Sequence, residues 1–99
     1  MKHTDWLQDQ LKDDTFAAHY LTQAAQALEP EVFIAALRHV VDARCGLAKV
    51  ADAGKLSKTS LYKAMPHTGR GNPTAKTVFA ALRASGMSLT FTAATATTQ

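Results

Sequence analysis

The sequence predicts a mainly α fold, a five-helix bundle built on a helix-turn-helix and followed by a short C-terminal β-strand. Three observations carry that reading: apolar residues recur at helical spacing through most of the chain, the stretch from Gly46 to Pro73 divides into two short apolar-patterned pieces joined at Gly54-Lys55, and strict alternation is confined to one segment near the C-terminus. At 99 residues and 46% apolar content the chain suffices for one core and not for a second domain. The organisation expected is an N-terminal arm or short helix over 1–13, a helix-turn-helix domain over 14–93 and a disordered tail over 94–99.

The elements follow in order. Asp5 to Lys12, carrying Trp6, Leu7 and Leu11, fits either a frayed helix or an arm that orders on a partner. Phe16, Tyr20, Leu21, Ala24 and Leu28 form an apolar stripe from about Asp14 to Leu28, broken at Glu29 and Pro30. Asp13 and Asp14 open that helix, where negative charge complements the dipole. Phe33, Leu37, Val40 and Val41 make the next stripe, from Pro30 at the first helical position to Arg44, with Gly46 just beyond the end. Val78, Phe79, Leu82 and Met87 predict a helix from Pro73 to Ser85, with Asn72 as its cap and Gly86 ending it in the left-handed conformation. In Ser88 to Ala93, Leu89 and Phe91 alternate with Ser88, Thr90 and Thr92, the pattern of a strand that needs a pairing partner.

Between the second and last of these helices lies the motif. Leu47, Val50 and Ala51 form one helical stripe, with Lys49 and Asp52 outside it. Gly54 and Lys55 break the pattern, Leu56 plugs the turn, and Ser57 caps a second helix that runs to about Met65, where Pro66 stops it. Leu61, Ala64 and Met65 face inward, which leaves Lys58, Thr59, Tyr62 and Lys63 outward. Hydroxyl and basic donors near the start of such a helix suit base edges in the major groove, although the same residue types also suit a merely solvated face.

Charge bears on that choice. Residues 1–44 hold four basic side chains (Lys2, Lys12, Arg38, Arg44) against seven acids, a net −3. Residues 45–99 hold seven (Lys49, Lys55, Lys58, Lys63, Arg70, Lys76, Arg83) against Asp52 alone, a net +6. A basic half that contains the motif favours a polyphosphate partner through counterion release. Beyond the motif, Arg70 in the Gly69-Arg70-Gly71 loop, Asn72, Lys76 and Thr77 surround a helix start suited to holding a backbone phosphate. Lys49 joins them as a phosphate-positioning candidate, Lys58, Thr59, Tyr62 and Lys63 form the groove-facing set, and Lys55 and Ser57 complete the DNA-binding candidates.

Other chemistries find little footing. A lone Cys45 makes no internal bridge, and His3, His19, His39 and His67 are too widely spaced in sequence to read as a zinc site, so neither metal nor cofactor is expected. No catalytic triad, phosphate-binding loop or paired-carboxylate cleft is legible, which argues against an enzyme. No apolar run approaches a membrane span and the N-terminus lacks a hydrophobic signal segment, so a cytoplasmic protein is expected.

The order of these residues from Tyr20 to Leu89 resembles the probable addiction-module antidote family, the HigA-like antitoxins with a lambda-repressor-type (XRE) helix-turn-helix. The most specific pieces are Leu56-Ser57 with Ser60-Leu61-Tyr62-Lys63, and Gly71-Asn72-Pro73 with Thr77. The resemblance implies a lambda-repressor-like bundle and a DNA-binding antitoxin that pairs with a small basic toxin of the RelE/ParE fold and represses its own operon as a homodimer on an inverted repeat. The acidic N-terminal half, with Asp13 and Asp14, would face the toxin by charge complementarity. Two departures stand out: the family places Gly where this chain has Lys55, and the run Met65 to Pro73 is longer than the family's loop. A stand-alone regulator without a toxin, and an interaction module with a vestigial motif, are the alternatives.

Overall fold

The computed structural model describes residues 3–94, and among them the chain is helical throughout its ordered elements: α1 (His3–Gln10), α2 (Asp14–Gln26), α3 (Pro30–Arg44), α4 (Leu47–Gly54), α5 (Lys58–Ala64) and α6 (Ala75–Ala84). The mainly helical class expected from periodicity holds, with six helices rather than five because the N-terminal piece is a helix. No helix among the described residues is long and apolar enough to cross a membrane.

The helices begin and end where the local chemistry directs. The Phe16 N–H donates to the Asp13 carboxylate at 2.8 Å and starts α2. Pro30 opens α3, its missing N–H falling where no intrahelical bond is made. Gly46 and Gly86 terminate α3 and α6 with positive φ. Leu28 does the same after α2 at φ 56°, and its side chain stands 88% exposed rather than continuing the inward stripe.

The central layer is α3, which contacts α1, α2, α4 and α6. Its Leu37, Val40 and Val41 are wholly buried among Leu11, Ala17 and Leu21 on one side and Leu47, Val50, Ala80 and Ala81 on the other. Leu11, immediately after α1, is fully buried, so the N-terminal segment is part of this core. Arg44 in the last turn of α3 fastens the periphery: its guanidinium donates to the carbonyls of Leu11 (3.2 Å), Lys12 (3.1 Å) and Ser85 (2.7 Å) and pairs with Asp14. One side chain thus joins the α1–α2 turn, α3 and the end of α6.

Three expectations are corrected. Ser88 to Ala93 is not a strand: residues 87–94 carry no regular structure, and Phe91 is 85% exposed. Alternation shapes a strand only when a neighbour accepts its backbone bonds, and no described segment pairs with it. The last helix starts at Ala75, capped by Thr74, and not at Pro73 after Asn72. Phe79 lies 52% exposed, because the buried side of α6 is Thr77, Ala80, Ala81 and the expected Leu82. The tail expected to be disordered, 94–99, lies outside the described residues save for Ala94.

Candidate nucleic-acid interface

Helices α4 and α5, joined by residues 55–57, form the helix-turn-helix pair. The turn is made by Lys55 at φ 52°, ψ 50°, the left-handed region, with its N–H and that of Leu56 returning to the end of α4. Leu56 is half-buried and closes the corner. Ser57 then takes an extended conformation, and its hydroxyl accepts from the Ser60 N–H at 3.3 Å, capping α5 as its sequence predicted.

α5 divides cleanly by burial. Leu61 is 2% exposed and Met65, just past the helix, is 0% exposed; Lys58, Thr59, Tyr62 and Lys63 stand in solvent. The inner side holds the helix against the core, and the outer side presents two amines, a hydroxyl and a phenol.

The loop that follows is pinned rather than free. Gly69 is buried, and a Cβ there would overlap the Glu31 carbonyl; a Cβ on Gly71 would overlap the carbonyl of Ala64 in α5. The glycines therefore let residues 66–71 lie directly on the backbones of α3 and α5, with the Arg70 side chain exposed on that support. The Arg70 N–H donates to the Thr68 hydroxyl at 3.2 Å.

A shallow groove runs between the start of α5 and the start of α6, with Lys55, Ser57 and Ser60 on one wall and Asn72, Thr74 and Thr77 on the other. Four residues singled out in the sequence, Lys55, Ser57, Asn72 and Thr77, thus meet across one groove. Thr77 is only 7% exposed; its N–H and hydroxyl both lie 3.2 Å from the Thr74 hydroxyl, so it completes the α6 cap. Lys49, Lys58, Lys63, Arg70 and Lys76 are exposed, and among the described residues none of them forms an ion pair. Unpaired amines and a guanidinium beside hydroxyl donors are what backbone phosphates engage.

Asp13 and Asp14, expected to face a protein partner, are both occupied at the start of α2, one as its cap and the other in the pair with Arg44. Asp14 remains 86% exposed and stays open to a partner.

A cluster absent from the sequence reading lies behind α5. Arg38 bonds Asp42 at 3.0 Å, donates to the Met65 carbonyl at 2.7 Å and sits 5.4 Å from the centre of the Tyr62 ring. His67 Nε2 lies 2.6 Å from the other Asp42 oxygen, and the His67 and His39 rings stack at 6.1 Å. The Tyr20 hydroxyl is 3.0 Å from His39 Nδ1. Burial, then the nearby His67 and Arg38, push the His39 pKa below its ordinary value against the opposing pull of Asp42. The histidines are 28 residues apart in sequence, so only the i, i+4 spacing of Arg38 and Asp42 signalled any of this.

These features define a small helical domain carrying a helix-turn-helix with a basic outer side. The chain belongs to the family of probable addiction module antidote proteins, which it matches over residues 2–93. No curated protein and no solved structure gives a significant match.

Proposed function

We propose that the protein is a DNA-binding antitoxin of a type II toxin–antitoxin module, of the HigA-like kind. It neutralises a small basic toxin of the RelE/ParE fold by direct binding and represses its own operon in the cytoplasm. Membership of an antidote family supports a toxin partner in general. The observation that carries the DNA-binding half is the division of α5, buried at Leu61 and Met65 while Lys58, Thr59, Tyr62 and Lys63 are exposed on a helix whose Ser57 and Ser60 line the groove towards α6.

As a homodimer the protein presents two copies of α5 to major-groove half-sites about one helical turn apart, so the operator is an inverted repeat. Lys58, Thr59, Tyr62 and Lys63 meet base edges, and Ser57 supports them at the helix start. Lys49, Lys55, Arg70, Asn72, Lys76 and Thr77 hold the phosphates, Thr77 by its place in the α6 cap. Nuclease protection of the DNA upstream of this gene, with and without the product of the adjacent gene, tests the reading. A two-fold symmetric footprint altered by the neighbour's product is expected. A footprint indifferent to that product indicates a stand-alone regulator, and no footprint at all overturns DNA binding.

A further inference from the structure

A polar cluster centred on α3 touches α5 from behind and reaches one residue of its exposed side. Arg38 is 8% exposed and lies on α3, where its sequence neighbour Leu37 is fully buried. Its Nε donates to Asp42 at 3.0 Å and its Nη1 to the carbonyl of Met65, the residue that ends α5, at 2.7 Å. The guanidinium also sits 5.4 Å from the Tyr62 ring centre, and Tyr62 is half-exposed in the groove-facing set. Asp42 gives its second oxygen to His67, two residues beyond Met65. The α3 helix therefore grips the exit of α5 at Met65, at His67 and through the ring of Tyr62.

That grip acts on one end of a seven-residue helix whose other end is set by the Ser57 cap. A short helix held at both ends keeps its rotation about its own axis, and rotation decides which side chains point into a groove. Recognising base edges requires side chains placed within about 0.5 Å and 10–20°. Attraction to phosphates tolerates far more. A cation at the C-terminal carbonyls also matches the negative end of the α5 dipole, and its planar fork serves Asp42 and Met65 together, which a lysine amine cannot do while lying flat against a ring.

We propose that Arg38 is a positioning residue for sequence recognition, setting the aim of α5 and of the Tyr62 ring without touching DNA. The proposal rests on the DNA-binding reading above. The test uses the full chain and two probes: a duplex enriched from a random pool by the wild-type protein, and a scrambled duplex of the same composition. Affinities for both are measured across a salt series at a temperature where each variant is fully folded by circular dichroism.

For Arg38→Lys the affinity for the enriched duplex falls by about 10-fold while that for the scrambled one stays within about twofold and its salt slope is unchanged. Asp42→Asn, which leaves the Met65 bond in place, shows a smaller fall in the same ratio and serves as the reading should Arg38→Lys fail to fold. An unchanged ratio, or affinities for both duplexes falling in parallel, assigns Arg38 to stability alone and overturns the proposal. A wild-type protein that enriches no sequence overturns the DNA-binding reading, and this proposal with it.

Discussion

The N–H of Leu56 reaches 2.8 Å back to the carbonyl of Ala51, closing α4 across a Lys55 that holds φ 52°. This six-to-one bond around a left-handed residue is the usual end of a helix at a glycine, made here by lysine. The left-handed region costs a residue with a Cβ ~1–2 kcal/mol, and glycine returns ~0.5–1 kcal/mol of that through its freer unfolded chain. Lys55→Gly therefore stabilises the domain by ~0.5 kcal/mol, raising Tm by ~2–4 °C. It also removes an amine proposed to hold a phosphate, so DNA affinity is expected to fall as Tm rises. A melt at or below the wild-type value would mean that the left-handed turn is not strained.

Gly71 provides the opposite case. An added methyl meets the Ala64 carbonyl, which is backbone and cannot rotate away. Gly71→Ala costs ~1–3 kcal/mol, read as a lower urea midpoint, and displaces the loop that carries Arg70 and Asn72. An unchanged midpoint would place the loop off α5.

How much of this was legible in the sequence depended on whether a feature is local. The Ser57 cap, the Pro66 stop, the inward Leu61 and Met65, and the unusual Lys55 turn are all set by neighbours within a few positions, and the structure has them where the pattern predicted. Leu28 misled because the chain turns left-handed there just after α2, and Phe79 because α6 packs through Thr77, Ala80, Ala81 and Leu82, whose small members let α4 approach until a Cβ on Gly54 would lie 2.9 Å from that of Ala80. The cap of α6 lies at Thr74, two residues past Asn72, and the close approach of Gly71 to Ala64 just before it is a contact between segments that no local rule contains. The Arg38, Asp42, His39 and His67 cluster is likewise a product of α3 meeting the loop after α5. The exposure of Lys58 and Lys63 was legible because it needs only the absence of a stripe.

Asp13 and Asp14 carry the proposed contact with a basic toxin, and each also has a structural duty that must be separated from it. Loss of the Asp13 cap costs ~1 kcal/mol, whereas serine caps as well without charge. The double change Asp13→Ser with Asp14→Asn weakens capture of the adjacent gene's product in a titration and leaves affinity for DNA within about twofold. Unaltered capture with weakened DNA binding would reverse the assignment of the two halves.

Salt dependence measures the basic side directly. With about four to six phosphates neutralised per protomer, log K falls against log[salt] with a slope of ~4–5 per protomer. Lys76→Ala removes ~1 unit of that slope for any duplex. Lys63→Ala instead costs ~1–3 kcal/mol on a specific duplex and far less on a scrambled one. Binding unaffected by salt would exclude the phosphate contacts altogether.

His39 sets a pH limit on stability. Burial is the largest cause holding its pKa below 6.5, joined by the stacked His67 and the Arg38 guanidinium, while Asp42 opposes them. The unfolded chain therefore binds a proton at His39 more readily than the folded one. At neutral pH both states are unprotonated there and no penalty arises; as pH falls below 6.5 the unfolded state gains protons first, and stability is lost until the folded-state pKa has also been passed. Urea unfolding at pH 7.5 and pH 5 shows the wild type losing more stability than His39→Gln, which keeps a polar partner within reach of the Tyr20 hydroxyl and does not titrate. Equal losses in the two proteins would mean that His39 is protonated as easily in the fold as outside it, and that burial beside His67 and Arg38 does not hold its neutral form.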